Sequence, residues 1–209
     1  RLGRPLPHEH APTTDDGDRF IVINVPDSST TATIGFVSEG NKLGLDMKYE
    51  IGLIRSHYVG RTFIQPAQDM REIRVKTKFN TVKGVLKGKK VVIVDDSIVR
   101  GTTSKQLVKL IRDAGAREIH FRVTSPPIRF PCHYGIDFPN PQELIANRLG
   151  GDLEEIRKEL GVDSLAYLSI DSLLASAPRE KGQSYCTACF TGNYPTPVTA
   201  GGIKDEYEM

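Results

Sequence analysis

The chain has 209 residues, 38% of them hydrophobic and 26% charged, a balance that argues against a disordered, collagen-like or disulfide-framework protein. Its 28 Lys and Arg stand against 26 Asp and Glu, a net charge of +2, which gives no basic surplus for sequence-independent nucleic-acid binding. The apolar runs are short, Phe20–Val25 and Val91–Val94 among them, whereas a membrane-spanning helix needs about 20 apolar residues in a row. The length suits one domain, or one domain with appendages. The chain opens on Arg1 with no signal-peptide pattern and reads as a fragment or a processed product. Its cysteines are Cys132, Cys186 and Cys189, and an odd count does not make a paired framework.

Residues 1–18 carry Pro, His, Asp and Thr without periodicity and read as a linker. Phe20–Val25 is almost wholly apolar and stops at Pro26, as in a strand buried on both faces. Asp27-Ser28-Ser29 is a helix N-cap cluster; Thr30–Glu39 is the expected helix and Gly40 its stop. Residues 40–47 are expected to form a loop. Lys48–Ile54 alternates, with Tyr49, Ile51 and Leu53 on one side, and predicts a strand. Residues 55–80 are rich in Arg and Lys. Val91–Val94 predicts a second buried strand. Ser104–Ala114 predicts a helix whose stripe is Leu107, Val108, Leu110, Ile111 and Ala114, ended by Gly115. Glu118–Thr124 alternates as a further strand. Residues 141–177 read as two or three helical pieces, with Leu153, Ile156 and Leu160 on one face. The tail from Pro178 reads as loose apart from its cysteines. Strands and helices in this order predict an α/β fold, an open parallel sheet flanked by helices.

The stretch from Val91 to Thr103 carries the chemistry. A buried strand ends in Asp95 and Asp96. A short loop with Gly101 and the hydroxyls of Ser97, Thr102 and Thr103 then enters a helix. Parallel sheets bind ligands at the carboxyl ends of their strands. A helix N-terminus offers free N–H groups to a phosphate, and glycine lets the backbone approach the anion. Paired carboxylates beside such a cradle suit a sugar's vicinal hydroxyls and a magnesium ion, not another phosphate. Taken alone, the acidic pair is equally a turn and the hydroxyls a cap. Neither a Walker loop nor a dinucleotide fingerprint is present.

This stretch resembles the signature of type I phosphoribosyltransferases, which bind 5-phosphoribosyl 1-diphosphate (PRPP). The resemblance extends through Val25–Ser29, Gly52–Ile64, Val94–Thr103, Ser125–Cys132, Tyr134–Asp137 and Cys186–Gly192, which together look like the glutamine phosphoribosylpyrophosphate amidotransferase family. It implies the type I phosphoribosyltransferase fold over residues 19–177, a flexible lid loop, and a cysteine-containing tail over 178–209. Residues 1–18 would be the junction to a glutaminase domain that nothing here matches. It implies that Asp95 and Asp96 hold ribose hydroxyls and Mg2+. Ser97, Val99, Arg100, Gly101, Thr102 and Thr103 would cradle the 5′-phosphate. Asp27 and Ser28 would meet the diphosphate, Ser28 also the metal. Arg55, Arg61 and Lys78 would be the catalytic cations of the lid, and Tyr58 would face the ammonia route or merely pack.

The same resemblance implies three ligands of a [4Fe-4S] cluster at Cys132, Cys186 and Cys189, the fourth coming from the glutaminase side. The spacing alone leaves half a zinc site, with His133 an awkward fourth ligand, a redox pair, or chance. The implied reaction joins ammonia to PRPP, giving 5-phosphoribosylamine and diphosphate, the first step of purine biosynthesis. Glutamine is the ammonia source, purine nucleotides are inhibitors, and a homo-oligomer, a tetramer in the family, is expected. A cytoplasmic or organellar setting is expected, with no nucleic-acid or membrane partner. Two rivals stay open: a salvage nucleobase phosphoribosyltransferase, and a PRPP-sensing regulator without turnover.

Overall fold

The computed structural model describes residues 2–13, 17–56, 79–136, 140–178 and 184–198. Its centre is a five-stranded sheet. The strands are β1 (Phe20–Asn24), β2 (Met47–Tyr49), β5 (Lys90–Asp95), β6 (Glu118–Val123) and β7 (Ser164–Tyr167), in the order β2-β1-β5-β6-β7. Every pairing in it is parallel. Between β2 and β5 the chain contributes β3 (Leu53–Arg55) and β4 (Phe79–Thr81), a separate antiparallel pair.

The central strands are buried on both faces because β1 and β5 are nearly continuous apolar runs. Odd and even residues serve two cores. Ile21, Ile23, Val91, Ile93, Ile119 and Phe121 pack with Leu107 and Ile111 of α4 (Thr102–Asp113) and with Ile156 and Leu160 of α6 (Leu153–Leu160). Phe20, Val22, Val92 and Val94 pack with Phe36 of α2 (Thr30–Lys42) and Leu6 of α1 (Leu6–His10). Short helices α3 (Lys83–Leu86), α5 (Ile145–Arg148), α7 (Ile170–Ser176) and α8 (Ala188–Thr191) fill the connections. No helix among the described residues is long and apolar enough to cross a membrane.

Four local expectations change. Lys48–Ile54 is two strands in different sheets. Ile51 is exposed, and Gly52 passes so close under Ile23 that a Cβ would lie 2.6 Å from its Cγ2. Gly40 does not stop α2, which runs to Lys42; a Cβ there would lie 2.6 Å from Met47 Sδ, so this glycine admits a close approach of β2. Ser164–Tyr167 is a strand, too short for periodicity to betray it. The first residues also carry structure. Leu6 is fully buried, the Glu9 carboxylate accepts from Ser169 N–H (3.0 Å) and Oγ (2.6 Å), and Arg122 Nε donates to the His10 carbonyl (2.9 Å). Leu6→Ala should therefore cost about 2–5 kcal/mol in urea unfolding. A loss under about 0.5 kcal/mol, the usual surface value, would detach α1 from the cooperative unit.

Candidate functional site

The carboxyl ends of β1 and β5 lie side by side, and one buried hydroxyl holds them there. Ser29 Oγ is 2.8 Å from both the Val25 and the Val94 carbonyls, and Val25 N–H donates to the Val94 carbonyl at 3.1 Å. Ser29 is thus a brace between strands and caps α2 with no side-chain bond of its own. The turn Asp27-Ser28 projects beyond it, exposed, and the Thr30 hydroxyl donates to the Asp27 carbonyl at 3.1 Å. Arg55, at the end of β3, reaches back to this turn, with Nη1 3.3 Å from Asp27 Oδ2.

On the β5 side Asp95 ends the strand and is only 7% exposed. Its Oδ1 accepts the Asp96 N–H at 2.9 Å. Its carbonyl accepts from Thr124 N–H (2.9 Å) and Oγ1 (3.2 Å). Burial, and secondarily the charge of Asp96, push the Asp95 carboxyl up to about 7. A buried carboxyl beside a second carboxylate is poised for a cation or for hydroxyl donors, either of which would favour its charged form.

The loop that follows is shaped from behind. Ile98 is buried, Val99 accepts at its carbonyl from Ile145 N–H (2.9 Å), and Arg100 Nε pairs with Glu143 Oε2 (2.6 Å). Gly101 precedes α4 with φ +79°, and a Cβ there would lie 2.4 Å from Ile145 Cδ1. Only glycine meets both demands. Thr102 and Thr103 are exposed in the first turn of α4, whose N–H groups lack intrahelical acceptors. Asp27, Ser28, Arg55, Asp95, Asp96 and the Ser97–Thr103 loop are therefore gathered at one end of the sheet. Tyr58, Arg61 and Lys78 lie outside the described residues.

The cysteines form a second locus. The carbonyl of Cys189 accepts from the Arg129 and Phe130 N–H groups at 2.9 and 3.0 Å, which fastens the tail to the segment after β6. Tyr194 adds its hydroxyl to the Pro131 carbonyl at 2.8 Å. Cys132 Sγ accepts from Tyr134 N–H at 3.4 Å. Burial, then the charges of Cys132 and Cys186, push the Cys189 thiol up. All three thiols are free. Among the described residues no group of three or more His, Cys, Asp or Glu is arranged to hold a metal ion.

No protein-family model matches the chain. Amidophosphoribosyltransferase 1, chloroplastic, of Arabidopsis thaliana is 50% identical over 184 residues, 88% of this chain and 31% of that protein. The Bacillus subtilis amidophosphoribosyltransferase is 48% identical over 200 residues, 94% of this chain and 40% of that one. A solved glutamine PRPP amidotransferase from B. subtilis, complexed with ADP and GMP, superposes with a TM-score of 0.79 at 47% identity. It is matched over 97% of this chain and 42% of its own. The chain corresponds to the C-terminal phosphoribosyltransferase region of the amidophosphoribosyltransferases. Its fold is the type I phosphoribosyltransferase fold. It spans about a third to two fifths of the length of these relatives.

Three residues of this phosphoribosyltransferase region escape sequence reasoning. Ser29 reads as a cap because Ser is a common cap. Glu143 and Ile145 sit in a stretch that reads only as a helical piece, and nothing local shows that they fold back on Arg100 and Gly101. The apolar triplet Leu144-Ile145-Ala146 is the one trace, since all three are buried.

Proposed function

We propose that this chain carries out the phosphoribosyl transfer of an amidophosphoribosyltransferase. Ammonia attacks C1 of PRPP, the C1–diphosphate bond breaks, and 5-phosphoribosylamine, diphosphate and a proton result. The observation that carries the reading is the buried Asp95 beside Asp96, set directly before the glycine-fronted N-terminus of α4. In this reading the first turn of α4 and the Ser97–Thr103 loop hold the 5′-phosphate, a group that does not react but fixes the sugar's position. Asp95 and Asp96 accept from the ribose hydroxyls. Arg55, Arg61 and Lys78 are the cations this reading assigns to the departing diphosphate, where negative charge grows as the bond breaks. Tyr58 is assigned to the ammonia path.

The residues present fit magnesium: Asp95, Asp96 and Ser28 would hold it, and it would neutralise charge on the leaving group. Cys132, Cys186 and Cys189 supply the donor chemistry for three ligands of a [4Fe-4S] cluster, but as they stand they are not gathered into a metal site. In these relatives' terms, glutamine hydrolysis would reside in the portion outside the match. Purine nucleotides are the inferred inhibitors, in keeping with the ADP and GMP named for the solved relative. Homo-oligomerisation and a cytoplasmic or organellar setting follow the same reading.

Calorimetric titration with PRPP tests the site. With Mg2+ present, PRPP should bind; chelating the metal should weaken binding by at least about tenfold, the loss of one charge-assisted contact of roughly 1.5–3 kcal/mol. Equal affinity with and without Mg2+ would remove the metal role from Asp95 and Asp96.

A further inference from the structure

One side chain links the cysteine-bearing tail to the phosphate loop. The amide nitrogen of Asn147 lies 2.7 Å from the Arg129 carbonyl and 2.9 Å from the Pro141 carbonyl. A side-chain amide has two N–H donors, so both bonds are made at once. On one side, Arg129 and Phe130 donate their N–H groups to the Cys189 carbonyl, and the Phe130 ring lies under Gly192, where a Cβ would meet it at 3.0 Å. On the other side, the segment from Pro141 to Arg148 grips the loop at three successive residues: Val99 through Ile145 N–H, Arg100 through Glu143, and Gly101 through the Ile145 side chain.

We infer that Asn147 is a positioning residue that couples the tail at Cys189 to the Val99–Gly101 loop. The inference rests on the reading of that loop as the 5′-phosphate cradle. Val99, Arg100 and Gly101 are held from behind by a segment that one bond of this amide ties to the Arg129 carbonyl, while its other bond, to Pro141, braces the segment itself. A tail that shifts its hold on Arg129 and Phe130 moves the Asn147 anchor, and with it the backing of Gly101. By reciprocity, a phosphate seated on the loop tightens the bonds at Cys189. Asn147 is itself exposed, so its removal leaves the Arg129 and Pro141 carbonyls to water and not to a buried void. The fold should therefore survive Asn147→Ala.

The test uses ribose 5-phosphate and inorganic diphosphate as separate probes, with amide hydrogen exchange as the readout of coupling. In the unsubstituted chain, saturating ribose 5-phosphate should slow exchange at Arg129 and Phe130. In Asn147→Ala, ribose 5-phosphate should bind about threefold to tenfold more weakly, the worth of one ordinary hydrogen bond. At saturation it should no longer protect those two amides, while diphosphate affinity stays unchanged. A general loosening would weaken both probes alike and would overturn the inference. So would protection at Arg129 and Phe130 that persists in the variant, or that is missing in the unsubstituted chain with ribose 5-phosphate bound. No binding of ribose 5-phosphate to the unsubstituted chain would overturn the proposed function and this inference with it.

Discussion

Asp95→Asn should make the unliganded chain more stable at pH 8 while stripping it of most of its affinity for Mg–PRPP. Asp95 is 7% exposed and lies beside Asp96, and its carboxyl sits at about 7 against an ordinary value of 3.8. Between those two values the folded chain holds a proton that the unfolded chain has released. Stability therefore falls as pH rises through the window from 3.8 to about 7. At about 1.36 kcal/mol per pH unit, the cost reaches an upper bound of about 4 kcal/mol at pH 8 and about 2 kcal/mol at pH 5. Asn has no charge to bury and escapes it. Urea unfolding of both proteins at pH 5 and pH 8 should show the variant's advantage growing with pH. The same substitution removes an anionic acceptor from the site, so Mg–PRPP affinity should fall roughly 10- to 150-fold, the equivalent of about 1.5–3 kcal/mol. An advantage that does not grow between pH 5 and pH 8 would show that the carboxylate is not held against its charge.

The other large effect is expected at Gly101. Its φ of +79° disfavours any side chain, at roughly 1–2 kcal/mol. A Cβ would also meet Ile145 Cδ1 at 2.4 Å, and overpacking of that kind adds about 1–3 kcal/mol. Gly101→Val should thus destabilise the chain by roughly 2–5 kcal/mol and displace the loop where the 5′-phosphate is proposed to sit. Ile145→Val in the same chain should recover only the steric part, because shortening Ile145 does nothing for φ. Unfolding measurements on the two single variants and the double variant separate these contributions. Simple additivity of the two substitutions would mean that Ile145 does not press on Gly101.

The Asp95–Thr103 site was legible because its parts are contiguous: strand, acidic pair, glycine and helix start follow one another within a few residues. The sheet was legible at β1 and β5 because buried parallel strands are apolar runs, and at β6 because Ile119, Phe121 and Val123 alternate with polar residues. What escaped depends on distant partners. Gly52 and Gly40 look like breakers, but each marks a close approach, to Ile23 and to Met47 respectively. Ser164–Tyr167 is four residues long, and a strand that short has no period to read. The short helix at Leu6–His10 lies among prolines and histidines, and only its docking on Phe36 and Val92 in one core makes sense of Leu6. Ser29 and Ile145 act across the fold on Val94 and Gly101, which no local pattern encodes. Of the cations proposed to face the diphosphate, Arg61 and Lys78 lie outside the described residues, and Arg55 stands beside Asp27.

Diphosphate release from Mg–PRPP at alkaline pH, followed with ammonium, glutamine or a free nucleobase as the second substrate, separates ammonia transfer from nucleobase transfer. Release should depend on ammonium and stay at background with adenine, guanine, hypoxanthine or uracil. With glutamine, these 209 residues should release neither glutamate nor diphosphate above background, because amide hydrolysis needs an activated nucleophile with an oxyanion site and the proposed reading assigns all three cysteines, Cys132, Cys186 and Cys189, to cluster ligation. Release that follows a nucleobase and ignores ammonium would make the chain a salvage phosphoribosyltransferase and not an ammonia-dependent one.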